Sequence, residues 1–176
     1  LFNPGPDSGP GFSLTGGSIV NHYITDIDEW AEACVSNPRW LAESLQRIGR
    51  FGGQHPTSNV LLHSLQVWWE LRGLDPWIEL WGLLHDAHEV LSGDITKGWK
   101  TISVDQRQMF ADLALKRACG VYPLACSLVW RVDKEQGDRE FYEWGDFVFA
   151  HDPSMAVEIF TRETTRLLAV VKSLEG

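Results

Sequence analysis

The stretch LWGLLHDAHEVLSGDI, residues 80–95, decides how this chain is read. Its apolar start, Leu80 to Leu84, runs directly into His85-Asp86, so two ionisable groups stand near the end of a segment otherwise built for burial. Burying an imidazole and a carboxylate side by side without partners is costly, so the pair implies a dense hydrogen-bond network or a metal ion. Glu89 lies three residues after Asp86 and comes round to the same helical face. The segment starts as a helix should, with Asp75-Pro76 offering a cap and a first-turn proline, and the helix is expected to end before Gly93.

Working outward, the neighbouring segments are also helical. Asn59 to Leu71 reads as a helix closed by Gly73 and carries His63, while GRFGGQHPTS, residues 49–58, holds three glycines and a proline and reads as a loop. Asp26 can cap a helix reaching about Val35, where Asn37-Pro38 breaks it; Trp40, Leu41, Leu45 and Ile48 then recur at helical spacing. Ser103 and Gln106 form a capping-box pattern ahead of a helix ending at Ala118 and Gly120. Pro123 opens a long helix that includes Asp133, Phe141 and Trp144, and Asp152-Pro153 opens the last one. No stretch alternates with period 2, so the fold class expected is all-α, a single bundle of about six or seven helices. Residues 1–25, rich in Gly and Pro, are expected to form an arm packed on the domain that spans residues 26–176.

Composition narrows the function. The chain has 176 residues, 44% of them apolar, and a net charge of −9, which suits one globular domain and disfavours clamping of duplex DNA through many phosphate contacts. Cys34, Cys119 and Cys126 are odd in number and show no CxxC spacing, so buried reduced thiols are expected rather than a disulfide framework. No apolar run reaches the roughly 18 residues of a membrane span. Residues 1–17 lack the basic flank and apolar run of a signal peptide, so a cytoplasmic location is expected. Nine tryptophans are far above the usual roughly one per hundred residues. Trp68, Trp69 and Trp81 read as core or interface anchors, and a homo-oligomer is expected.

Four positions on different helices have the chemistry of metal ligands: His63, His85, Asp86 and Asp133. Two imidazoles and two carboxylates suit one divalent ion such as Mn, Co, Zn, Fe or Mg, with positions left for water and substrate. His88 reads as a neighbour of the site or a solvent-facing residue, His55 as a loop histidine, and His22 and His151 as surface or capping residues. Of the acidic cluster Asp133, Glu135, Asp138, Glu140 and Glu143, only Asp133 is expected to enter the site, with Glu140 as its possible partner.

These residues resemble the HD-domain phosphohydrolases, whose signature is a His, a His-Asp pair and a distant Asp, all on helices. His63 in NVLLHSLQV, His85-Asp86 in HDAHEVLSGDI and Asp133 in WRVDKEQGDREF carry the pattern. The longer string, with RFGG upstream, is similar to the branch of small 5′-deoxynucleotidases and phage deoxynucleoside triphosphohydrolases, over about Arg47 to Phe141. The resemblance implies that His63, His85, Asp86 and Asp133 hold the metal. It implies Glu89 as general acid or base and Asp94 as a group that positions water or the sugar. Arg50 would contact phosphate, Phe51 would stack on the base, and Lys97 or Lys100 would meet a second phosphate oxygen. The activity implied is cleavage of the 5′ ester of a deoxynucleotide, dATP to deoxynucleoside plus triphosphate, in the host cytoplasm if the chain is phage-encoded. A dNMP-specific 5′-deoxynucleotidase, a regulatory domain that binds nucleotide without turnover, and a structural module stapled by metal are the alternatives. No P-loop, GxGxxG or GxSxG motif occurs.

Overall fold

The computed structural model describes residues 26–55, 57–121, 126–143 and 152–174. In chain order the helices are α1 (Ile27–Ser36), α2 (Pro38–Leu45), α3 (Arg50–Gly53), α4 (Val60–Leu71), α5 (Pro76–Leu84), α6 (Glu89–Ser92), α7 (Ile102–Cys119), α8 (Cys126–Glu143) and α9 (Pro153–Leu174). The fold is all-α, with no strand among the described residues; α3 and α6 are single turns, and the other seven are the bundle.

Helix α4 sets the architecture because it has little polar surface. Val60, Leu61, Leu62, Leu65, Val67, Trp68 and Leu71 are buried, as are His63 and Ser64, and a helix apolar nearly all round belongs at the centre of a bundle. It packs against α5, α8 and α9, while α1 lies on α7 and α2 on α9. Gly82 permits the approach of α5: a Cβ there would stand 2.8 Å from Leu71 Cδ1 and 3.4 Å from the Trp68 backbone. Trp30, Trp68 and Trp81 enter the core, but Trp69 is partly exposed and Trp99 and Trp130 are largely so, so the aromatic excess divides between core and surface.

Capping explains most boundaries. Asp26 accepts from the N–H groups of Asp28 and Glu29, Asn59 from Leu62, Asp75 from Trp77, and Asp152 from Ser154 and Met155. Three expectations are corrected. Helix α2 stops at Leu45 rather than Ile48. Thr101, not Ser103, caps α7, accepting from the Val104 N–H at 3.4 Å. The helix of residues 76–92 is not continuous: it ends at Leu84 and tightens into i→i+3 bonds, Ala87 N–H to Leu84 O, Glu89 to Asp86, Val90 to Ala87 and Leu91 to His88. This is 3₁₀-like pairing, in which side chains three apart eclipse one another. The loop of residues 49–58 is closed at its base by Val60 N–H to Ile48 O and Arg50 N–H to Ser58 O. Residues 1–25 with His22, and also Pro123, Trp144 and His151, lie outside the described residues, as do the side chains of Lys97, Cys126 and Glu143.

Candidate metal centre

The first turn of α4 carries His63, the C-cap of α5 is His85, Asp86 opens the tight turn after it, and Asp133 sits mid-way along α8. The three elements bring one ligand atom from each of the four residues within 4.8 Å of the others. His63 Nε2 is 2.9 Å from Asp133 Oδ1 and 3.6 Å from Asp86 Oδ2; His85 Nε2 is 3.3 Å from Asp86 Oδ2 and 3.6 Å from Asp133 Oδ1.

Each imidazole is oriented from behind. His63 Nδ1 donates to Glu140 Oε1 at 2.8 Å, and His85 Nδ1 donates to Gly82 O at 3.0 Å, so both rings turn Nε2 toward the carboxylates. That arrangement fixes the tautomer a metal-binding histidine needs. His85 Nε2 is buried and lacks a hydrogen-bond partner of good geometry. An orphaned ring nitrogen beside two carboxylates, in a two-nitrogen, two-oxygen donor set, fits a borderline divalent ion.

The electrostatics agree with an excess of negative charge. Burial would lower the pKa of His85, but Asp86 and Asp133 outweigh it and hold it well above the ordinary histidine value. Burial and the charge of Arg50 also press on His63, yet Glu140 and Asp133 raise it. Asp86 and Asp133 move the other way: burial would raise them, but the two imidazoles bring both below the ordinary carboxylate range. Glu89 is the exception, pushed up to about 9 by burial and by the charges of Asp86 and Asp94. It is 4% exposed, and its Oε2 has no hydrogen-bond partner.

The substrate-side residues divide. A cleft of about 440 Å³ opens onto His85, Asp86 and Asp133 and is also lined by His88, Lys100 and Trp130, among others. Lys100 is held there by Gln108, whose Oε1 accepts from Nζ at 2.9 Å. Arg50 and Phe51 are not among its lining residues. Arg50, expected to contact phosphate, has a buried guanidinium that donates from Nε to Glu140 Oε2 at 3.1 Å and lies 3.5 Å from Asp94 and 3.7 Å from Asp86. Asp94 accepts from the Phe51 N–H at 2.6 Å, which holds Phe51 in the left-handed region at φ 55°. A non-glycine residue there costs roughly 1–2 kcal/mol, so Asp94 acts on the backbone of this loop. The Phe51 ring packs edge-on against Phe141 at 5.5 Å.

Glu140, expected as a possible partner of Asp133, is buried and accepts from His63 instead, whereas Glu135 and Asp138 are exposed. The residues that sequence reasoning missed are Asp112 and Gln108 on α7. Asp112 Oδ1 accepts from His88 Nδ1 at 2.9 Å, and Gln108 bridges Lys100 and Ser92. Nothing local in the sequence marks them, because their partners arrive only when α7 packs beside the tight turn. No family model, curated protein or solved structure matches this chain.

Proposed function

We propose that the chain is a metal-dependent phosphohydrolase that cuts the 5′ ester of deoxynucleotides, taking a dNTP such as dATP to deoxynucleoside plus triphosphate and also accepting dNDP or dNMP. The observation that carries this reading is the convergence of His63, His85, Asp86 and Asp133, with both imidazoles held from behind by Glu140 and the Gly82 carbonyl. The resemblance of the HDAHEVLSGDI string to the HD-domain phosphohydrolases supplies the reaction class. A divalent ion held by the four residues would supply Lewis acidity toward a phosphoryl oxygen and toward water.

The chain's own residues do the rest. Lys100, fixed by Gln108 on the cleft wall, meets negative charge on the phosphates entering there. Arg50 offsets the charge of Glu140, Asp94 and Asp86 from behind and so keeps the ligand carboxylates from repelling an anionic substrate. Glu89, buried next to Asp86, holds the proton that the departing 5′ oxygen needs. Asp94 keeps the Arg50–Phe51 backbone in its strained turn, which positions the arginine.

Chromatography of products from each dNTP and dNMP with Mn²⁺, Co²⁺, Zn²⁺ or Mg²⁺ tests the reading. Triphosphate release from a dNTP is expected. Phosphate release from dNMP alone would make the chain a 5′-deoxynucleotidase, and bound metal without turnover would make it a binding domain.

A further inference from the structure

Where the end of α4 meets the start of α5 and the middle of α9, a groove of about 340 Å³ opens that shares no lining residue with the cleft over the metal centre. Trp68, Trp69 and Arg72 enter it from α4 and its C-cap, and Arg162, Glu163 and Arg166 from α9.

The protein holds all three guanidiniums of this groove in place. Arg72 lies over the Trp69 ring, 3.1 Å from its centroid, and donates from Nε to Trp69 O at 3.4 Å. Arg162 and Arg166 donate from Nε to the two oxygens of Glu163, at 2.9 and 2.7 Å. Arg166 Nη2 also reaches Glu79 Oε2 at 3.4 Å, and Glu79 Oε1 accepts from the Gly73 N–H. Every carboxylate oxygen here therefore has a donor from the protein itself. The spare side-chain capacity is all of the other kind. Both Nη groups of Arg72 and of Arg162, and Nη1 of Arg166, have no acceptor among the described residues. Trp68 is 4% exposed, and its Nε1 has no acceptor either. Buried donors left unpaired are uncommon in native proteins. Three guanidiniums against two carboxylates also leave one positive charge in a chain whose net charge is −9.

We propose that this groove binds an oligophosphate chain, carried by a nucleoside triphosphate or present as free triphosphate, at a site separate from the metal centre. Such a ligand brings acceptors only, which is what the groove lacks. The paired Nη groups of arginine match phosphate oxygens two at a time. A single carboxylate has two oxygens and satisfies one such fork, whereas an oligophosphate presents oxygens along its length to several. Holding the guanidiniums beforehand lowers the ordering cost of binding. Arg72, flat on Trp69, offers its outer plane to a base, as guanidinium planes do in nucleic-acid complexes. The inference rests neither on a bound ion nor on the hydrolytic reaction.

Isothermal titration calorimetry of the whole chain in EDTA, with dATP and with inorganic triphosphate, tests this while no metal bridges phosphate to the cleft. Both should bind the wild type, less tightly as salt is added. Arg72 and Arg162 are exposed, so their replacement spares the core. Affinity should fall about tenfold in Arg162→Gln and in Arg72→Gln, and stay unchanged in Lys100→Gln, which removes the lysine of the metal cleft. Tighter binding of dATP than of triphosphate, with the advantage lost in Arg72→Gln, assigns the nucleoside to the Arg72–Trp69 stack; equal binding assigns the free chain. No binding to the wild type overturns the proposal, as does unchanged binding in both arginine variants. Loss of binding in Lys100→Gln overturns it too, by placing the anion in the metal cleft, and so does deoxyadenosine that binds as tightly as dATP.

Discussion

Helix α5 carries a buried ionisable side chain toward each end, and the protein supplies them differently. Near its start, Glu79 has a partner for each oxygen: the Gly73 N–H donates to Oε1 at 3.0 Å, and Arg166 from α9 reaches Oε2 at 3.4 Å. Six residues further, about 9 Å along the axis, His85 meets two carboxylates, and its Nε2 is left without a good hydrogen bond. The first end is a completed structural contact that ties α9 to the turn before α5. The second gathers His63, Asp86 and Asp133 around an atom that protein does not satisfy. What separates the two ends is therefore the convergence of metal-ligand groups at His85, which Glu79 lacks.

The largest effect should break the comparison if it is wrong. Asp86→Ala is expected to abolish metal-dependent hydrolysis, a loss of roughly 10³-fold or more, with the helical circular dichroism retained. Glu79→Ala should leave turnover of the folded protein near wild type. Equal losses in both variants would mean that α5 does not distinguish its two ends.

Metal should also stabilise through one end only. At free Mn²⁺ about one hundred times the dissociation constant, binding to the native state contributes about 2.7 kcal/mol. The melting temperature should rise by several degrees in the wild type and in Glu79→Ala, and stay fixed in Asp86→Ala. A rise of the same size in Asp86→Ala would place the ion elsewhere.

How much of this was legible in the sequence differs between the same two ends. His85 and Asp86 could be read because a polar pair at the end of an apolar run is a local anomaly, His63 and Asp133 joined them as ligand-type residues on other helices through the family resemblance, and the all-α class followed from caps and spacing. Glu79 gave no such signal: a glutamate in a first helical turn is ordinary, and Arg166 lies 87 residues away. The phosphate contact of Arg50 is implied by the resemblance alone, and its burial against Glu140 has no signal in the sequence because the two lie 90 residues apart. The i→i+3 turn was also hidden, since residues 85–91 have good helical patterning and the tightening lies in backbone bonds alone.

Gly82 joins the two ends and gives an effect of intermediate size. It lies where α5 touches α4, and its carbonyl holds His85. In Gly82→Ala the new methyl group meets Leu71 Cδ1 at 2.8 Å and the Trp68 backbone at 3.4 Å, so the buried Leu71 side chain must shift within a packed core. A loss of roughly 1–3 kcal/mol is expected from overpacking, with weaker Mn²⁺ binding as His85 shifts. Chemical denaturation with and without Mn²⁺ measures both, and an unchanged metal affinity would separate the position of His85 from the helix contact.

The smallest effect sharpens the structural end. Burial would raise the pKa of Glu163, but hydrogen bonds from Arg166 and Arg162 outweigh it and hold the carboxyl below its ordinary value. A carboxyl with a lowered folded pKa contributes stability that is present above its unfolded value, near 4.3, and lost as pH falls through the folded one. Both arginines are about half exposed or more, so solvent screening limits the contribution to a few tenths of a kcal/mol. Acid also disturbs Asp86 and Asp133 at the other end, so the total slope is uninformative. The difference between wild type and Glu163→Gln isolates the pair: the variant should be less stable at pH 6, and the gap should narrow as pH falls below the ordinary carboxylate range. A constant offset across that range would show that Glu163 holds α9 through its shape and neutral hydrogen bonds rather than its charge.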